Sequence, residues 1–160
     1  MTSDDELDEV EYLGYTLGQQ PVVSVLNDIV ALQASPAQIT PVPGTKPWIV
    51  GLAPISGDLL PVIDVPQFLG LSASASRSLA QLLVVDIEGV RCGLLVTSVM
   101  GRLTETVHSQ TAAVTLFDML QPYVRIALHT DQAEWPVFEL SALVSDSRFS
   151  MGCIDHPGLV

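Results

Sequence analysis

The chain repeatedly sets two short apolar runs around a glycine-containing turn. Trp48–Ile55 and Leu59–Ile63 flank Ser56-Gly57-Asp58, and Gln81–Ile87 and Val90–Val96 flank Glu88-Gly89. Runs of this length, broken by residues that tolerate positive φ, fold as β-hairpins. Tyr123–His129 and Trp135–Phe138 form a third pair across Thr130–Glu134. Val10–Leu17, stopped by Gly18, and Arg102–Val107 read as further strands. Val22–Leu32 is rich in Val and Ile, and fits either a strand or a strand running into a short helix at Val25–Val30. Within Val90–Val96, alternation puts Cys92 on a buried face and Arg91 on the wet one.

The remaining segments connect strands. Ala34–Gly44 holds Pro36, Pro41 and Pro43, which keep it out of helix, as extended chain or loop. Pro66–Leu69 has room for one helical turn, ended by Gly70 and capped by Asp64. Ser72–Ser78 and Ser109–Thr115 read as loops, Leu116–Gln121 as a helical turn capped by Thr115, and Ser141–Arg148 as a C-terminal helix. Roughly eight to ten strands at a spacing of about 8–12 residues predict a barrel or sandwich, not alternating strand–helix units. A length of 160 residues suits one domain or two small lobes with a common core.

Charge narrows the function. Six bases face 18 acids, for a formal charge of −12. A chain without a Lys/Arg footprint is not built to hold nucleic acid phosphates or an anionic lipid surface. Asp4, Asp5, Glu6, Asp8, Glu9 and Glu11 lie together without a base, so residues 1–9 read as an acidic tail before a domain at 10–148, with 149–160 a second tail. Such a start is unlike a secretory signal, and Asp58, Asp64, Asp86, Glu88 and Arg91 interrupt the most apolar stretches. Cys92 and Cys153 form no paired motif. The expected setting is the cytoplasm, without membrane insertion.

No catalytic constellation stands out. His108, His129 and His156 lack the spacing of a metal site, and Ser56 lacks the flanking glycines of a nucleophile elbow. Val42–Pro47 holds the single lysine, Lys46, but not the spaced glycines of a phosphate loop. Asp58 and Asp64 fall at opposite ends of one strand, too far apart for acid–base work. The residues describe a domain that works by its surfaces, without enzyme activity, cofactor or metal.

The stretch VPGTKPWIVGLAPISGDLLPVIDVPQFLG, residues 42–70, resembles the signature of the CheW-like domain family, the coupling module of bacterial chemosensory arrays. Pro43, Gly44, Gly51, Gly57, Pro61, Asp64, Leu69 and Gly70 carry the likeness, and LLVVDIEGVRCGLLVTSVMGRL extends it. The resemblance implies a mainly β fold of two small SH3-like five-stranded β-barrels sharing a core, with short helices including a C-terminal one. It implies a scaffold that links a methyl-accepting chemoreceptor to the regulatory domain of a CheA-type histidine kinase. The receptor groove would be lined by Leu26, Asp28, Ile55, Ser56 and Gly57, and the kinase surface by Glu88 and Gly89 on the other barrel. The segment LQPYVRIALHTDQAEWPVF is similar to the branch that serves type IV pilus signalling, and less like flagellar members.

Two positions depart from the family pattern. Ser56 stands where Arg is usual, and Thr97 where an acid commonly follows Val96. Each removes a charge, and Ser cannot replace the planar donor fork of Arg. A flagellar coupling protein, and a small β-barrel enzyme or ligand carrier, are the competing expectations. The carrier requires a deep pocket with convergent polar groups.

Overall fold

A computed structural model describes residues 10–71, 79–112 and 118–149. The expected loop Ser72–Ser78, the cap Thr115, the tail at residues 1–9 and residues 150–160 lie outside the described residues; Phe149, expected to open the second tail, is instead buried in the core. The chain runs β1 (Tyr12–Leu17), β2 (Gln20–Val25), a 3-10 turn (Leu26–Asp28), β3 (Ile29–Ala34), β4 (Ile49–Ile55), β5 (Asp58–Asp64) and α1 (Val65–Phe68). It continues through β6 (Gln81–Ile87), β7 (Val90–Val96), β8 (Ser98–Arg102) and β9 (Ser109–Ala112). A 3-10 turn (Asp118–Tyr123), β10 (Val124–His129), β11 (Glu134–Phe138) and α2 (Leu140–Ser145) complete it.

The strands form two sheets, ordered β8-β1-β2-β11-β10-β9 and β3-β6-β7-β5-β4. The chain begins in the first, builds the second between Ile29 and Val96, and returns. Leu26–Asp28 makes the outward crossing. Thr97 makes the return, where its N–H donates to Thr16 O at 3.0 Å and its hydroxyl accepts from Gly18 N–H at 2.8 Å. The hydroxyl at this departure from the family pattern is thus a rivet between the sheets.

Each sheet encloses a small interior, and the two share a third, larger core. Ala53, Ile55, Leu60, Val62, Leu82, Val84 and Leu95 fill the five-stranded lobe. Val23, Leu128, Trp135 and Val137 fill the six-stranded one. Between them Leu17 and Val22 meet Leu83, Val85, Cys92 and Leu94, sealed by Phe68, Tyr123, Leu143 and Phe149. At about 1.5–3 kcal/mol for each fully buried aliphatic or Phe side chain, this shared core outweighs any single cap or ion pair. Arg148 closes its edge, with its guanidinium 4.8 Å from the Phe68 ring centre and hydrogen-bonded to Tyr123 Oη at 3.2 Å.

The structure changes three expectations. Ser109–Ala112, expected as loop, is a strand, so one sheet has six strands instead of five. Its residues are all exposed, and backbone pairing with β10 alone defines it. Arg102–Val107, expected as a strand, is not one; the strand is Ser98–Arg102. Leu103 and Val107 still pack on the lobe interior. Finally, the face of β7 opposite Cys92 is wet only at Arg91, because Leu95 packs inside the five-stranded lobe while Leu94 packs in the shared core.

Candidate functional site

The two glycine hairpins turn in two residues each. Ser56 and Gly57 have φ of 53° and 87°, and Glu88 and Gly89 have 51° and 82°. Paired positive φ values are the geometry of tight hairpin turns that follow the sheet's own twist. Asp58 belongs to the strand instead of the turn. At the far end of β5, Asp64 caps α1, its Oδ1 accepting from Gln67 N–H at 3.1 Å. The two carboxylates stand at opposite ends of the strand, as expected.

Topology then brings the turns together. β5 and β7 are parallel neighbours, with Val62 opposite Gly93 and Asp64 opposite Leu95. Stepping back four residues on each strand sets Asp58 level with Gly89, so both turns project from one end of the sheet. Arg91 Nη1 donates to Asp58 Oδ2 at 2.7 Å and ties the two strands there. β3 pairs with β6 with Ile29 opposite Val85, which puts the Leu26–Asp28 crossing at the same end. Asp28 is half-buried, and burial pushes its carboxyl above the usual range. Three segments far apart in sequence thus meet in a rim of Leu26, Asp28, Ser56, Gly57, Glu88 and Gly89.

Two expectations about this rim are corrected. Ile55 lines no groove: it is 1% exposed and packs inside the five-stranded lobe, where it seats the turn. The Glu88-Gly89 turn is not on the other barrel but on the same sheet as Ser56 and Gly57. Sequence reasoning also missed Asp58 and Asp86, which flank Arg91; Asp86 is its cross-strand neighbour. Parity exposed Arg91, but only the parallel contact between β5 and β7 gives it a partner.

Gly51 has a separate role. A Cβ there would lie 2.3 Å from the Thr40 carbonyl oxygen. Its absence lets Thr40 exchange two 2.8 Å backbone hydrogen bonds with Leu52 on the outer edge of β4. The first glycine of the Gly51–Gly57 motif therefore fastens the proline-rich segment, and the second makes the turn.

Elsewhere several polar side chains pair locally, while the buried Trp48 indole N–H has no hydrogen-bond partner among the described residues. An open groove beside the six-stranded lobe is lined by Tyr12, Leu103, Glu105, Val107, His108 and Gln110. Glu105 Oε1 accepts from Trp135 Nε1–H at 3.2 Å and from the Thr130 hydroxyl. His108 Nε2 lies 2.7 Å from Asp131 Oδ1, and His129 Nε2 lies 2.6 Å from Thr111 Oγ1. Among the described residues no three His, Cys, Asp or Glu side chains converge, and no helix is long and apolar enough to cross a membrane.

Two filled β lobes around a shared core, with the signature glycines placed at an edge fastening and a hairpin turn, define the class. The chain belongs to the CheW-like domain family, whose pattern matches residues 11–148. It is 30% identical over 138 residues to Protein PilI of Pseudomonas aeruginosa, covering 86% of this chain and 76% of that protein. It is 28% identical over 103 residues to Chemotaxis protein CheW of Thermotoga maritima, covering 63% of this chain and 67% of that one. The crystal structure of scaffolding protein TtCheW from Thermoanaerobacter tengcongensis superposes with a TM-score of 0.73 at 19% identity, over 87% of this chain and 94% of that chain.

Proposed function

We propose that the protein is a non-catalytic coupling protein joining a methyl-accepting chemoreceptor to the regulatory domain of a CheA-type histidine kinase. The system is type IV pilus signalling, at chemosensory arrays beneath the inner membrane on the cytoplasmic side. The observation that carries the reading is the rim itself. Asp28, Ser56, Gly57, Glu88 and Gly89 come from three separate segments, and five-stranded pairing gathers them at one accessible end. The pilus assignment rests on the PilI likeness, which spans 86% of the chain.

Two measurements test this. Calorimetry with the kinase regulatory domain gives saturable heat; no heat at high micromolar concentration removes the kinase half. Asp28→Asn and Ser56→Arg weaken receptor pull-down, with the Asp28 variant melting no lower than the parent. If both variants unfold, these residues are structural and the rim is not the receptor surface. The CheW likeness over 63% of the chain favours a flagellar role as the second reading. Loss of twitching with swimming intact after gene deletion supports the first reading, and the reverse supports the second.

A further inference from the structure

The rim draws only on the five-stranded sheet and the crossing that leads into it, so the six-stranded lobe has no surface assigned to a partner. That lobe carries a groove of about 930 Å³. Ligand sites commonly measure roughly 300–1,000 Å³, so the groove has room for several residues of a peptide and not only for an ion. Residues 104–107, the middle of the link from β8 to β9, line it. The link is tied at its ends, where Leu103 N–H donates to Tyr12 O and His108 N–H to His129 O, both at 2.8 Å. Between these ties residues 104–107 form no backbone–backbone hydrogen bond among the described residues, leaving their amides and carbonyls for water or an added chain.

Glu105 stands in this link, held but not neutralised. Its Oε1 accepts from Trp135 Nε1–H at 3.2 Å and from the Thr130 hydroxyl. Both donors are uncharged, and Oε2 takes neither. Among the described residues Glu105 forms no ion pair, and Arg91, Arg102, Arg125 and Arg148 are each paired with a different acid. The other charged groups lining the groove are matched: Glu11 meets Arg102 at 2.6 Å, and His108 meets Asp131 at 2.7 Å. A fixed, unmatched carboxylate is thus the group in the groove that a ligand can answer. Fixing it in advance also removes the ordering cost that a free side chain incurs on binding.

We propose that the groove docks an extended peptide of a partner protein, with an arginine or lysine of that peptide on Glu105 Oε2. Charge chooses this occupant. Val10 lines the groove, and Asp4, Asp5, Glu6, Asp8 and Glu9 precede it, so the chain's own N-terminal residues would set like charge against Glu105. A second copy would bring a net charge of −12 with it. An acidic peptide or an anionic headgroup is repelled in the same way, whereas a cationic segment is drawn in by the acidic field of the whole chain. A charge-assisted hydrogen bond to the carboxylate fixes the register, and the unpaired backbone at 104–107 bonds the peptide's own.

Nuclear magnetic resonance titration of the full chain tests this with the acetylated, amidated peptide Ala-Val-Arg-Val-Ala. The Trp135 indole N–H, which donates to Glu105, and the amides of residues 103–110 shift as peptide is added. The same peptide with citrulline, an uncharged isostere of arginine, at its centre binds about tenfold more weakly, and one with glutamate there does not bind. Glu105→Gln keeps an oxygen for Trp135 and Thr130, so it melts like the parent, and it too binds the arginine peptide about tenfold more weakly. Equal binding of the arginine and citrulline peptides overturns the proposal, as does a Glu105→Gln variant that folds and binds like the parent. So do shifts confined to the rim, or none at millimolar peptide. Should the variant unfold, the citrulline comparison on the parent decides alone. No readout involves a receptor or a kinase, so the result is independent of the rim's partners.

Discussion

Arg91 on β7 and Asp58 on β5 are 33 positions apart and meet at 2.7 Å across two parallel strands, directly beneath both hairpin turns. Their side chains are 40% and 55% exposed. An exposed pair of this kind contributes at most about 1 kcal/mol and is screened by salt. Its larger effect is geometric, since it fixes the spacing of Ser56-Gly57 from Glu88-Gly89.

The first prediction follows. Asp58→Asn lowers stability by less than about 1 kcal/mol in urea titrations, a loss that shrinks at high salt. Receptor pull-down falls by more than that stability change accounts for. A variant that melts and binds like the parent shows that the pair does not set the rim.

The turns were readable because each needs positive φ, and a glycine beside a small or polar residue advertises it. The Asp64 cap was readable because its partner lies three residues away. What could not be read was long-range. Nothing local to Asp58 or Gly89 records that β5 and β7 run side by side, so the rim was split between two surfaces. β9 was missed because Ser109–Ala112 has no apolar alternation. Ile55 was misassigned because proximity to a turn does not expose a residue whose side chain points into a lobe.

A second prediction concerns Ser24, which is fully buried. Its hydroxyl donates to the Phe138 carbonyl at 2.6 Å and so accepts from the Tyr15 hydroxyl at 2.7 Å. Ser24→Ala leaves two buried polar groups unpaired and costs about 1–3 kcal/mol. Tyr15→Phe removes the outer donor and costs about 1 kcal/mol. The double variant costs less than the sum in urea unfolding, because the tyrosine hydroxyl is then no longer left orphaned. Strict additivity would show that the chain Tyr15–Ser24–Phe138 is not coupled.

The third prediction concerns the turn residues. Ser56 and Glu88 hold positive φ without being glycine, which costs a residue with a Cβ roughly 1–2 kcal/mol. Asn is the preferred partner of Gly in such turns. Ser56→Asn and Glu88→Asn therefore each stabilise by about 0.5–1 kcal/mol, raising the melting midpoint by about 1–4 °C. A lowered midpoint in both would mean that the native side chains make compensating contacts.

The fourth prediction is a pH profile set by the network at the shared core's edge. Burial pushes the Asp146 carboxyl up, but the Tyr123 hydroxyl, the Arg148 N–H and the Arg148 guanidinium together hold it below its ordinary value. The unfolded chain then takes up this proton at higher pH than the folded one. The group's contribution is complete above the ordinary carboxylate pKa of about 3.9 and is lost as pH falls through the lower folded value. Tyr123 moves the other way, pushed up to about 12 by burial, then by Asp146, with Arg148 opposing. Its contribution is complete below the ordinary tyrosine pKa of about 10 and is lost as pH rises toward the folded value. Urea midpoints are therefore flat near neutrality and fall on both limbs. Asp146→Asn flattens the acid limb, and Tyr123→Phe makes the alkaline one shallower, the remainder coming from Tyr15, whose hydroxyl is also pushed up by burial. Asp28, raised by burial, is more comfortable protonated, so Asp28→Asn stabilises at neutral pH without changing the fall below pH 3.9. An acid limb unchanged in Asp146→Asn would place the acid-sensitive contact elsewhere.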